Sequence, residues 1–251
     1  MLSGEQCRFF RMAGYLPVGQ VSSHEEVAAL KEEVSRLLGT PSRSGAAAPE
    51  NHMMRAHAAG GDGVNDGHVR VALHLCHISD LFRDHALNAN VASTVRRIFG
   101  EDPVVLTSLL FNKPPKVGQA LTPHQDLPYY PYLGDDDLVT CWMALNEVDS
   151  SNGCLEYLPA SHRSRITHRE TGEQQTLEID PDDIDMTRLV QIPLKPGEGV
   201  LHHGLTVHRS GANRSERPRM GVATLYVQAS VPVTIDDFPY PALVPSPAAS
   251  R

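Results

Sequence analysis

Apolar positions recur with two different textures along this chain. In the N-terminal part they follow helical spacing. Val27, Leu30, Val34, Leu37 and Leu38 come after a capping box, Ser23-His-Glu-Glu26, and end at Gly39, which predicts an amphipathic helix with one buried face. Leu87, Val91, Val95 and Ile98 mark one side of a second helix, predicted over Ala86 to Phe99, with Gly100 just past its end. From Val104 onward the texture becomes short apolar or alternating runs: Val104 to Phe111, Leu138 to Leu145, Gly153 to Leu158, Leu189 to Leu194, Gly199 to His203 and Met220 to Val227. Turn formers such as Ser150-Ser-Asn-Gly153 and Lys195-Pro-Gly-Glu-Gly199 separate them. Short strands punctuated in this way predict a mainly β, double-sheet fold with helices on its outside.

The stretches between these runs complete the outline. Thr40 to Gly67 is rich in Ala, Gly, Pro, Ser and Asn with no apolar period, so a long loop is expected. Glu170 to Arg188 is polar and acidic and lies between two strands, which makes it a candidate lid or equally a solvated surface excursion. After Ala229 the tail is rich in Pro and Ala and reads as irregular. The expectation is one domain over residues 1–251, with a helical part about 1–103, a β core about 104–228 and no internal repeat.

Composition narrows the function classes. A chain of 251 residues can bury one sizeable core. Its net charge of -8, with no Lys/Arg block, lacks the footprint needed to neutralise phosphates, so nucleic acid is not an expected partner. The N-terminus has no basic segment followed by an apolar one, and no stretch is long and apolar enough to cross a bilayer. Cys7, Cys76, Cys141 and Cys154 are scattered without a C-x-x-C pair, which fits core thiols in a reducing compartment. A cytoplasmic protein without membrane partners, monomeric or homodimeric and acting on a small molecule, is expected.

The candidate chemistry sits in two separated segments. Thr122-Pro-His124-Gln-Asp126 offers an imidazole and a carboxylate two residues apart, which project to the same side of an extended segment and can share one ion. Pro123, and Leu127-Pro128 after it, restrict the backbone there. A lone H-x-D is weak and needs a third ligand, for which His202, His203 and His208 compete. His208 lies eleven residues before Arg219, and His203 eleven before Arg214. Context favours the first pair, because Arg219 opens the apolar run Met220 to Val227 whereas Arg214 falls in a polar turn. His203 is then a supporting partner or a satisfied core residue. Two imidazoles and one carboxylate form the facial set of a non-haem iron site with open positions, and a following arginine presents a planar fork suited to a carboxylate. His74-Leu-Cys76-His77 lacks a fourth partner at metal-site spacing, and Asp135-Asp-Asp137 reads as a solvated turn that could meet a cationic substrate.

The chain resembles the phytanoyl-CoA dioxygenase superfamily of Fe(II)/2-oxoglutarate-dependent oxygenases. The resemblance runs from Gly14-Tyr15 and the first helix through Leu110-Phe-Asn-Lys113-Pro-Pro, His124-Gln-Asp126 and Thr140-Cys-Trp142-Met-Ala-Leu. It continues through Asn152-Gly-Cys-Leu-Glu-Tyr-Leu-Pro159-Ala-Ser-His-Arg163 and Pro196-Gly-Glu-Gly199 to the segment from His208 to Arg219. It implies a double-stranded β-helix, the jelly-roll form of cupins. It also implies iron on His124, Asp126 and His208, and 2-oxoglutarate held by Arg219 with Ser210 beside it and Lys113 and Trp142 lining its pocket. Asn152-Gly153 and Ser161-His-Arg163 are expected to shape loops. The implied reaction uses O2, releases succinate and CO2, and oxidises a substrate C–H bond. Halogenating relatives have a small residue in place of the carboxylate, so Asp126 argues for oxygenation, with hydroxylation as the first expectation. The absence of a basic patch for CoA phosphates points to a small metabolite or a natural-product intermediate. Two other classes stand beside this one: a non-catalytic cupin-like binding protein, and a metal-dependent isomerase or hydrolase on the same barrel. Only the oxygenase needs a carboxylate anchor such as Arg219 with Ser210.

Overall fold

The structure is a computed structural model and describes residues 2–39, 53–55, 69–171, 176–234 and 238–245. In chain order its elements begin with α1 (Gly4–Ala13), β1 (Tyr15–Gln20), α2 (His24–Gly39), β2 (Met53–Arg55) and β3 (Val69–Ala72). Three helices follow, α3 (Leu75–Ile78), α4 (Asp80–Ala86) and α5 (Ala89–Phe99). The strands β4 (Pro103–Lys113), β5 (Leu121–His124), β6 (Leu138–Ala144), β7 (Leu155–Tyr157), β8 (Arg169–Thr171) and β9 (Thr176–Glu178) come next. The chain closes with β10 (Val190–Ile192), β11 (Glu198–His203), β12 (His208–Ser210) and β13 (Arg219–Gln228).

Two sheets face each other in a jelly roll, the double-stranded β-helix expected. Among the described residues the larger has the order β1-β11-β6-β13-β4-β3-β2 and the smaller β10-β7-β12-β5. Strand alternation explains why the central strands read as continuous apolar runs. On β6, Trp142 and Ala144 turn into the core between the sheets with Leu155 and Tyr157, while Val139, Cys141 and Met143 turn outward under the helices. The outer face is covered by Cys7 and Phe10 of α1, Val91 and Val95 of α5, and Val27, Leu30 and Val34 of α2. Burying one such aliphatic side chain contributes about 1.5–3 kcal/mol.

Several expectations shift at their edges. The helix read over Ala86 to Phe99 starts at Ala89, because the Asn88 side chain accepts from the amides of Asn90 and Val91 and so caps it there. Ala86 belongs to the preceding α4. Helix α1 was not foreseen. Ser3 and Gln6 close a capping box at its start, and Gly14 ends it with a left-handed φ of 84°. The N-terminal part is not purely helical, since it supplies β1, β2 and β3 to the larger sheet. The loop expected at 40–67 falls outside the described residues except for β2. The tail is irregular but anchored: Leu243 bridges Val105, and Phe238 is buried.

The acidic excursion, expected as a candidate lid or a solvated surface excursion, is docked on the protein. Strands β8 and β9 form a hairpin, and Ile179 after it is 1% exposed, packed with Leu158 and Val207. The Ile179 amide donates to the Pro123 carbonyl at 2.8 Å, and Arg169 pairs with Asp180 at 2.6 Å. Residues 172–175 lie outside the described part. No helix among the described residues is long and apolar enough to cross a membrane.

Candidate active site

Two short strands of the smaller sheet bring the histidines together. Strand β12 pairs antiparallel with β5 so that His208 stands opposite His124, and their ring centroids are 4.3 Å apart. In each ring Nδ1 donates to the carbonyl two residues back, His124 to Thr122 at 2.8 Å and His208 to Thr206 at 3.0 Å. That local bond fixes the tautomer and presents Nε2 to the interior. Asp126 does not lie on an extended continuation of β5: it takes an αR conformation at the head of the 3-10 turn Leu127–Tyr129. Its Oδ1 lies 3.7 Å from His124 Nε2 and 3.6 Å from His208 Nε2. Among the described residues these three make the one group of His, Cys, Asp and Glu placed to hold a metal ion.

The electrostatics suit a cation. Burial lowers the His124 and His208 imidazoles to about 4, so both are neutral donors at neutral pH. Although burial alone would raise it, the neighbouring histidines, His208 first, hold the Asp126 carboxyl well below the usual range. Two neutral nitrogens and one carboxylate are the protonation states that metal ligation requires. Cis ligands at bond lengths of about 2.1 Å stand about 3 Å apart, so an ion would draw this set together only slightly. The residues fit iron.

The larger sheet supplies a cationic recess. Lys113 on β4 stands opposite Arg219 on β13. Arg219 is 1% exposed; its guanidinium lies 4.6 Å from the centroid of the Trp142 ring, and its Nε donates to the Gly153 carbonyl at 3.0 Å. Gly221 makes this stack possible, because a Cβ there would overlap the Trp142 ring. Lys113 Nζ donates to the carbonyls of Gly211 at 2.5 Å and Ser210 at 3.2 Å. Burial lowers Lys113 well below its ordinary value, with Arg219 adding repulsion, and brings Arg219 down to about 10. Among the described residues no Asp or Glu forms an ion pair with either cation. A buried guanidinium and a buried amine without a carboxylate partner are costly to keep charged, and a carboxylate ligand offsets that cost. Ser210 is buried two residues beyond His208 on the same face of β12.

The structure also sorts the other sequence candidates. His203 points to the opposite side of the sheet from its neighbour, where it accepts from the Leu205 amide and reaches Asp136 at 3.2 Å. It is a satisfied core residue, and the supporting partner of the metal set is His202. His202 Nε2 donates to Asp126 Oδ2 at 2.9 Å, and Thr140 donates to the same oxygen at 2.8 Å. Strand parity was the available signal: in the β11–β6 register His202 stands opposite Thr140, on the same face as Trp142. Gln125 was missed too. It is fully buried and binds the Ser164 and Leu205 carbonyls and the Ile166 amide, tying the turn between His124 and Asp126 to the following loop.

Asn152 shapes its loop through the Asp149 amide and the Glu147 carbonyl, and Ser161 holds the Val207 amide just before His208. Asp135 pairs with Arg165, Asp136 with His203, and Asp137 caps the Gly134 amide, so each carboxylate of this exposed turn already has a partner in the protein. His74 and His77 bond Thr107 and the Leu106 carbonyl. All four cysteines are buried and unpaired.

A family model matches most of the chain. The model described as Phytanoyl-CoA dioxygenase (PhyH) matches residues 10–221. The chain belongs to the phytanoyl-CoA dioxygenase family. Within that family it is 27% identical over 241 residues to phytanoyl-CoA dioxygenase 1 of Oryza sativa subsp. japonica, covering 85% of each chain. Among solved structures it is similar to the epimerase SnoN in complex with Fe3+, alpha ketoglutarate and nogalamycin RO, at 22% identity and a TM-score of 0.71, covering 90% of this chain and 83% of that one. It is also similar to EctD from S. alaskensis with 2-oxoglutarate and 5-hydroxyectoine, at 22% identity and a TM-score of 0.74, covering 93% and 78%. At that level of identity the two structures share the fold.

Proposed function

We propose that this member of the phytanoyl-CoA dioxygenase family is an Fe(II)- and 2-oxoglutarate-dependent oxygenase that hydroxylates a C–H bond of a small metabolite of natural-product type. The observation that carries the reading is the pairing of a neutral-imidazole and carboxylate set with a buried cationic recess, both facing the interior of one barrel. His124, Asp126 and His208 would hold the metal on one face. Arg219 would clamp the far carboxylate of the cosubstrate with its fork, with Ser210 donating beside it, Lys113 adding the second positive charge and Trp142 fixing the guanidinium plane. When bound, iron and 2-oxoglutarate supply the oxidising power: the 2-oxo acid is decarboxylated to succinate and CO2, one atom of O2 entering succinate and the other the substrate C–H bond.

The protein's share is binding, orientation and exclusion of water. Tyr129, whose ring meets His124 edge-on at 6.4 Å, shares its hydroxyl with the backbone of Leu177, so the β8–β9 hairpin is fastened beside the metal set. The aromatic surface continues through Tyr130 and Tyr132, which pack against the interior core. Such a wall suits a substrate with an apolar body better than a highly charged one. The nogalamycin complex of SnoN supports a natural-product intermediate, and the 5-hydroxyectoine bound to EctD supports hydroxylation.

Purified protein given Fe(II), O2 and 2-oxoglutarate is expected to release succinate slowly even without a prime substrate, and Asp126→Ala is expected to abolish that release. Iron-loaded, folded wild-type protein that leaves 2-oxoglutarate intact under these conditions would overturn the proposal.

A further inference from the structure

Asp126 has two oxygens, and the structure gives them different surroundings. Oδ1 faces the two imidazole Nε2 atoms at 3.6 and 3.7 Å. Oδ2 is turned away and receives two hydrogen bonds, from Thr140 Oγ1 at 2.8 Å and His202 Nε2 at 2.9 Å. A carboxylate can only accept, so His202 donates through Nε2, and in the Nε2–H tautomer Nδ1 is an acceptor. The Tyr157 hydroxyl lies 2.9 Å from that Nδ1 and fills the role of donor. Burial keeps the phenol protonated by raising it well above its ordinary value. The donors run one way, from Tyr157 to His202 to Asp126.

Each member of this chain is held independently. Tyr157 is fully buried and stacks on Tyr15 with ring centroids 4.9 Å apart. His202 is 1% exposed and Thr140 likewise, and they stand opposite each other in the β11–β6 pairing. Both donors therefore come from the larger sheet, whereas Asp126 sits in a turn beyond the end of a four-residue strand of the smaller one.

We infer that Thr140 and His202, the latter oriented by Tyr157, are positioning residues that keep Asp126 a one-oxygen ligand by occupying Oδ2. This rests on the oxygenase reading and goes beyond it, because it assigns what leaves room for the cosubstrate. A six-coordinate ion with three single-atom protein ligands has three positions free, two of which a chelating 2-oxo acid needs. A carboxylate swung into a two-oxygen grip would take one of them. Two good hydrogen bonds on Oδ2 oppose that swing, and removing them permits it.

The test is anaerobic calorimetry with the full-length protein, titrated first with Co(II) and then, once loaded, with 2-oxoglutarate. Thr140→Val, of the same shape, and His202→Phe are expected still to bind cobalt, with a loss of no more than about tenfold because the freed second oxygen can grip the ion, yet to bind 2-oxoglutarate to the loaded protein at least about tenfold more weakly. Thr140→Ser, which keeps the hydroxyl, is expected to restore wild-type cosubstrate affinity. Variants that bind cobalt and 2-oxoglutarate as wild type does would overturn the inference alone. Equal losses in Thr140→Val and Thr140→Ser would also overturn it, since packing rather than the hydroxyl would then be responsible. Wild-type protein that takes cobalt but no 2-oxoglutarate would sink the oxygenase reading, and this inference with it.

Discussion

At the scale of single residues, Arg219 is the most constrained group in the site. Its charge is fully buried, its fork is set by stacking on Trp142, and the stack exists because Gly221 has no side chain. Lysine at this position keeps the charge but offers neither a planar face for the indole nor a two-pronged contact for a carboxylate. Arg219→Lys is therefore expected to weaken 2-oxoglutarate binding roughly ten- to a hundredfold, the equivalent of one charge-assisted hydrogen bond worth about 1.5–3 kcal/mol. Iron affinity should change far less. Titration of the variant with cosubstrate checks this, and unchanged binding beside an impaired Arg214→Lys would show that the other arginine is the anchor. Arg219 was legible in the sequence because it opens an apolar strand. Its stack was not, because the fit of Trp142 over Gly221 depends on two strands being neighbours.

At the scale of elements, legibility follows strand length. The long strands β4, β6 and β13 are buried on both faces, so their apolar runs announce them, and their observed limits lie within two residues of the expected ones. The strands that carry the candidate histidine ligands, β5 and β12, have four and three residues and lack an apolar run, so no periodicity could reveal them. His202 and His203 illustrate the limit further. Both were visible as candidates, but which one faces the interior is a matter of parity within β11, and parity is fixed by pairing with β6. His208→Ala is accordingly expected to lose high-affinity iron, while His203→Ala, whose ring lies on the far side beside Asp136, should retain it. Metal content after anaerobic reconstitution and desalting reads both. Iron retained by the first variant and lost by the second would transfer the third ligand to His203.

At the scale of the whole molecule, the site is assembled by closing the barrel. The smaller sheet and the turn after β5 bring the candidate metal donors; the larger sheet brings Lys113, Trp142, Arg219 and the two groups that hold Asp126. The acidic excursion belongs to this assembly as well, since Ile179 is buried against Val207 and its amide is bonded to Pro123, one residue before the first ligand. The fold class was readable from the chain because it depends on strand texture. The docking of the excursion was not, because a few apolar residues scattered among many acids, Ile179 foremost, and contacts to distant segments carry it. The central claim is that iron and 2-oxoglutarate share this one interior. The most direct test is anaerobic optical titration of the apoprotein with Fe(II) and then 2-oxoglutarate. A weak visible charge-transfer band should appear only when both are present, and should be lost in Asp126→Ala. Folded, iron-loaded wild-type protein that shows no band at saturating 2-oxoglutarate, or an undiminished band in Asp126→Ala, would contradict the account.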